Sequence, residues 1–105
     1  MEELRTREVE DLLTVLAGLD DNDDLFNLLE DLFTIREIKE TSQRLDVARL
    51  LDLGKSYTAI EQATGASATT IARVSKCLSY GAGGYEMALE ILKERDEAQS
   101  GHEGD

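Results

Sequence analysis

An all-α fold follows from three observations on the 105-residue sequence. There is no proline to break a helix, aromatic residues number only five (three Tyr, two Phe), and Leu, Ala, Glu and Asp are abundant. Apolar residues recur at i, i+3, i+4 and i+7, the period of one helix face. Thr34 to Glu37 and Thr58 to Glu61 each spell Thr-x-x-Glu, in which the hydroxyl and the carboxylate each satisfy an orphan backbone donor at a helix start.

The first helix is expected from about Thr6 to Leu19, with Val9, Leu12, Leu13 and Leu16 on one face. Gly18 and the acidic run Asp20 to Asp24, broken only by Asn22, end it and open the next, because negative side chains suit the positive end of a helix. In the second helix Leu25, Leu28, Leu29 and Leu32 form the stripe, and Phe26 and Phe33 widen it. Thr34 opens a third helix, the longest, which runs to about Leu53 and is closed by Gly54. Ile38 and Leu45 make an ordinary stripe in its first half, whereas Val47, Leu50, Leu51 and Leu53 spread apolar surface around its second half. A helix apolar on several sides is buried on several sides. A chain of this length has a limited core of its own, so an intertwined homodimer is expected, with a monomeric bundle around the central helix as the alternative.

Lys55 and Ser56 lead into residues 56–80, which read as two short helices joined by a turn with glycine, the helix-turn-helix pattern. Thr58 and Glu61 cap the first, and Tyr57, Ile60 and Thr64 share one of its faces. Gly65 supplies the left-handed residue that ends it, and Ser67 caps the second, whose inner stripe is Ile71, Val74 and Leu78. Helices this short need a larger body to hold them. What stays outside is a surface of small, hydroxylated and basic side chains, a composition suited to a DNA groove. The candidate DNA-binding residues are Lys55, Ala66, Ser67, Ala68, Thr69, Thr70, Arg73 and Lys76. Ser67, Ala68, Thr69 and Thr70 are the candidates for base reading, and Lys55, Arg73 and Lys76 for phosphate. A hairpin used only for packing is the alternative, and Glu61 stands where many such units have a small residue.

Beyond it, Gly81, Gly83 and Gly84 form a flexible link. The last helix carries Tyr85, Ala88, Leu89 and Leu92 on one face, with Met87 and Ile91 on a second. From about Glu97 the chain has nothing to bury, so a disordered acidic tail over 97–105 is expected to follow a single domain over 1–96.

The net charge is −12, which opposes binding to phosphates, but its distribution matters more than its sum. Residues 1–35 hold eleven acids and two bases, and residues 81–105 seven acids and two bases. Residues 36–80 hold five acids and seven bases, a net +2, so the acidity lies outside the segment expected to meet DNA. The acidic flanks suit a solvated surface that aids solubility.

One cysteine, Cys77, and one histidine, His102, offer neither an internal disulfide nor a metal site, so no catalysis is expected. No apolar run approaches the ~20 residues of a membrane span, and MEELRTREVE is charged with no hydrophobic core for a signal peptide. A cytoplasmic protein with no membrane partner is expected.

The order of elements, together with LFTIREI, QRLDVARLLDLGKSYTAIEQATGASATTIARVSKCLSYG and GYEMAL, resembles the Trp repressor superfamily, most nearly the YerC/YecD type of Trp-repressor-like protein. The resemblance implies a six-helix, intertwined homodimer that represses transcription by placing two reading helices in successive major grooves of a palindromic operator, about 34 Å apart. It also implies a place for L-tryptophan as corepressor, with Arg44 and Arg73 aligning with the arginines that hold the amino acid and Thr34 with a threonine near it. Two departures disfavour that ligand. Val74 stands where the repressor has glycine beside the indole, and Cys77 where a serine helps to bind the amino group. The segment from Gly54 to Gly65 is also one residue shorter. Without a ligand, Arg44 would pair with Glu40 or Asp46 and Arg73 would meet phosphate. The rival to a DNA-binding regulator is a protein-interaction module that keeps the fold without useful DNA affinity.

Overall fold

Six stretches with helical spacing become six α-helices in the computed structural model of the chain, which describes residues 2–103. These are α1 (Arg7–Gly18), α2 (Asn22–Leu32), α3 (Ile35–Asp52), α4 (Tyr57–Thr64), α5 (Ala68–Tyr80) and α6 (Gly84–Glu103), preceded by a 3-10 turn at Glu2–Leu4. No strand occurs among the described residues, and no helix of theirs is long and apolar enough to cross a membrane. The chain divides into two compact units, residues 1–39 and 40–105. The reason lies in burial: α1 and α2 contain no buried residue, and every core residue lies at or beyond Val47.

In the first unit, the hydroxyl of Thr6 accepts from the amide of Val9 at 3.4 Å and starts α1. Arg7 meets Asp11 one turn on at 2.8 Å, and Arg5 pairs with Glu10. Asp21 flanks α2 without a side-chain cap bond, so the start of that helix leans on Asp23 and Asp24 in its first turn. Val9, Leu12, Leu16, Leu25, Leu28 and Leu29 are half-buried, while Leu13 and Phe26 are 42% and 53% exposed. The box that opens α3 forms as spelled: the Glu37 amide donates to Thr34 Oγ1 at 3.1 Å, and the Thr34 amide donates to Glu37 Oε1 at 2.9 Å. The Thr34 amide and, secondarily, the Thr34 hydroxyl favour the ionised carboxylate and hold the Glu37 carboxyl below the usual glutamate range.

The second unit closes a core of Val47, Ala48, Ile60, Ala66, Ile71, Val74 and Leu89, with Leu50, Leu51, Leu78, Tyr85 and Leu92 packed against it. Its largest fully buried side chains are Ile60, Ile71, Val47 and Val74, each contributing about 1.5–3 kcal/mol. At the end of α3, Gly54 is left-handed (φ 82°); its amide donates to Leu51 O at 3.0 Å and that of Lys55 to Leu50 O at 3.1 Å. This paired closure turns the chain sharply into α4. At the far end, α6 continues through Glu103 instead of giving way to a tail at 97, while positions 104 and 105 of the expected tail lie outside the described residues. Residues 97–100 are exposed, so the continuation owes nothing to burial; the run Glu94 to Gln99 is rich in good helix formers. Lys93 reaches back from α6 to Asp52 at 3.0 Å, and that carboxylate raises the Lys93 ammonium above the ordinary lysine range.

Candidate nucleic-acid interface

The hairpin of α4 and α5 is held by polar groups that satisfy one another locally. Ser56, not Thr58, caps α4: its Oγ accepts from the Ala59 amide at 3.1 Å, and Thr58 falls inside the first turn. Both residue types can cap, but starting at Tyr57 lets the helix begin immediately after the Gly54 closure. Gly65 ends α4 in the left-handed region (φ 76°), and its amide donates to Glu61 O at 2.8 Å. Within the turn, the Thr64 hydroxyl donates to Ile60 O at 2.7 Å and accepts from the Ala66 amide at 3.1 Å. Gln43 of α3 donates from Nε2 to Thr64 O at 3.0 Å, fastening the turn to the central helix. Ser67 then caps α5, accepting from the Thr70 amide at 3.2 Å and donating to Thr70 Oγ1 at 3.1 Å.

This scaffold sorts the candidate residues. Ala68, Thr69, Arg73 and Lys76 are exposed on α5, Ser67 is exposed at its cap, Thr70 is half-buried, and Lys55 is exposed in the connection before α4. Ala66 does not belong with them: it is 4% exposed and part of the core, because the left-handed Gly65 turns the chain so that the next methyl group points inward. Ser67 is engaged twice within its own helix start, so its hydroxyl already holds the first turn of α5 in place.

The electrostatics set α5 apart. It is the one described helix with no Asp or Glu, in a chain whose acids outnumber its bases by 23 to 11. Several cations on other helices are taken up by carboxylates: Arg7 by Asp11, Arg49 by Asp46, Lys93 by Asp52 and Arg95 by Asp96. Among the described residues, none forms an ion pair with the side chains of Lys55, Arg73 or Lys76.

Of the four residues aligned with a ligand site, Arg44 and Cys77 come together. They line an open hollow of about 610 Å³ with Leu45, Tyr85, Ala88 and the glycine link. Arg44 is half-buried and donates to Thr41 Oγ1 at 3.3 Å, while Asp46 is engaged by Arg49 at 2.9 Å. Arg73 sits one turn before Cys77 on α5 and is not among the lining residues, and the Thr34 hydroxyl is committed to the start of α3. Val74 is 1% exposed and packs in the core, not in the hollow. Gly81 at the rim is required by contact: a Cβ there would lie 2.3 Å from the Cys77 carbonyl oxygen. Among the described residues no His, Cys, Asp or Glu cluster could hold a metal ion.

Sequence spacing missed three features. Gln43 supports a turn 21 residues away, a distance no periodic pattern reports. Ser56 competed with an equally plausible cap two residues on. Tyr80, at the end of α5, is 85% exposed, although its aromatic ring would suggest burial.

Known proteins share this arrangement. The sequence profile of the Trp repressor protein family matches residues 7–93. YerC of Bacillus subtilis (strain 168), whose function is uncharacterised, is 43% identical over 100 residues, covering 95% of this chain and 96% of YerC. A TrpR-like protein from Eubacterium eligens superposes with a TM-score of 0.85 at 40% identity, over 89% of this chain and 96% of the other. A Staphylococcus aureus protein with a provisional Trp repressor assignment superposes with a TM-score of 0.83 at 36% identity, over 88% and 92%.

Proposed function

The chain belongs to the Trp repressor family, and from that premise we propose that it is a homodimeric, sequence-specific DNA-binding regulator. In this reading it acts in the cytoplasm without catalysis, repressing transcription by occupying a palindromic operator. The observation that carries the reading is the outer face of α5, acid-free and bearing cations without carboxylate partners on a chain of net charge −12. Thr69 and Thr70, with Ala68 allowing close approach and Ser67 fixing the helix start, read base edges in the major groove. Arg73, Lys76 and Lys55 meet phosphates. The second copy covers the apolar stripes of α1 and α2, which stay at most half-buried within one chain.

Selection of fragments from the source genome at low salt tests the proposal. Three phosphate-binding cations per head give six per dimer, so log affinity for a selected fragment should fall against log salt with a slope of about −5. Arg73→Ala removes one cation from each head, so it should flatten that slope by roughly 2 units and weaken all sequences alike. A failure to select any fragment would favour the other reading, an interaction module of the same fold, which the net charge of −12 supports.

L-Tryptophan is disfavoured as corepressor, because the polar group that meets the hollow from α5 is the thiol of Cys77, a weak hydrogen-bonding partner for an ammonium. The chain has no tryptophan, so the emission of the added amino acid reports binding without background. Unchanged emission at millimolar concentration is the expected result, and a shifted or enhanced spectrum would reinstate the corepressor.

A further inference from the structure

We propose that the DNA-contacting face of α5 does not stop at Lys76 but runs to the end of the helix, where Tyr80 packs its ring on a deoxyribose and donates its hydroxyl to a backbone phosphate. The inference rests on the DNA-binding reading and adds a contact residue to it.

Tyr80 is 85% exposed, the highest exposure of the large apolar side chains on the described residues. The fold gains almost nothing from it, and among the described residues its hydroxyl has no hydrogen-bond partner. Its position on the helix is specific. At about 100° per residue, Thr69, Arg73, Lys76 and Tyr80 fall within roughly 60° of one another. The inward residues Ile71, Val74 and Leu78 centre on the opposite side of the same helix. A single outer stripe therefore runs hydroxyl, cation, cation, phenol, on a helix with no acid.

The length of that stripe assigns the role of its last member. From Thr69 to Tyr80 the helix rises about 16 Å, while the major groove of B-DNA is about 8.5 Å deep. With the start of α5 at the base edges, Arg73 and Lys76 climb the wall of the groove, and Tyr80 reaches its rim, where sugars and phosphates lie. A phenol suits that position, since its flat apolar ring covers a sugar and its hydroxyl donates to a phosphate oxygen. The neighbouring cations select a polyanion as the occupant rather than an apolar protein face.

The test uses the full-length protein and a duplex selected by it. Tyr80→Ala should bind at least roughly tenfold more weakly at fixed salt, the effect of a hydrogen bond to a charged group lost from each head. Because tyrosine is neutral, the salt slope should stay unchanged, whereas Arg73→Ala flattens it. Hydroxyl-radical cleavage should show sugars at the groove rim losing protection in Tyr80→Ala and keeping it in Tyr80→Phe, which retains the ring and recovers part of the affinity. Tyr80→Ala binding with the affinity and footprint of the wild type would overturn the proposal. So would a loss explained wholly by dissociation of the dimer in sedimentation, which would give the ring to a second copy instead. A wild-type protein that selects no duplex defeats the DNA-binding reading and this contact with it, whereas a selected duplex indifferent to Tyr80 defeats only the contact.

Discussion

Residues 1–39 and residues 40–105 are built alike, from amphipathic helices with apolar residues three and four apart, yet their burial differs completely. No side chain of α1 or α2 is buried, whereas Val47, Ile60, Ile71 and Val74 of the second unit have essentially no exposed surface. The charge differs as well. The first 35 residues hold eleven acids and two bases, both bases paired with acids of their own unit, while α5 holds cations and no acid at all. An apolar stripe states that a face must be covered, not what covers it. In the second unit four helices and a turn converge and cover one another. In the first, no residue of the stripes is fully buried, and the acids keep the rest of that surface solvated.

The sharpest way to break this contrast is to empty a position in the closed core. Ile71→Ala should cost about 2–5 kcal/mol in thermal or denaturant unfolding, as expected for a large-to-small change at a fully buried site. A loss well under 1 kcal/mol would mean that the second unit is not a closed core.

The first unit should answer a different measurement. Phe26→Ser removes a side chain that is 53% exposed in one chain, so it should leave the second unit's core alone and weaken association between copies. If the ring is covered in the dimer, about 1.5–3 kcal/mol is lost, raising the dissociation constant roughly ten- to a hundredfold in sedimentation equilibrium. An unchanged constant would remove Phe26 from the interface.

A smaller effect separates two candidate caps inside the second unit. Ser56→Ala should destabilise by about 1 kcal/mol, while Thr58→Ala, within the first turn, should stay near 0.5 kcal/mol or less. Equal effects would restore the cap suggested by the Thr-x-x-Glu spelling.

The smallest effect is a pH dependence at the start of α3. Glu37 is held below its ordinary value by its bonds to Thr34, so its contribution is fully present above the unfolded-state pKa of about 4.3 and is lost as pH falls through the lower folded value. Acid titration followed by the amide signals of residues 34–37 should show that segment loosening, and Glu37→Ala should abolish the pH dependence there.

Much of this architecture was legible in the sequence because it is encoded over short distances. The Thr34 and Glu37 box, Gly54, Gly65 and the Ser67 cap each act within about one helical turn, and each formed as its spelling suggests. The inner stripe of α5 was legible for the same reason, since Ile71, Val74 and Leu78 share a face whatever lies beneath them. The failures share a cause too. Ala66 was grouped with the outward residues because a three-residue turn has no period from which a direction can be read. The end of α6 is not marked by its last apolar residue, since the helix runs on through Glu103.

The sequence by itself determined the helices, their caps, the glycine turns and the segregation of acid from base, because those properties depend on residues a few positions apart. Only the tertiary structure decided that Gln43 fastens a turn 21 residues away and that Arg44 and Cys77 share a hollow. It also decided that an aromatic residue at the end of α5 stands in the open. Those relations arise where distant segments meet, and the local spacing of residues carries no record of them.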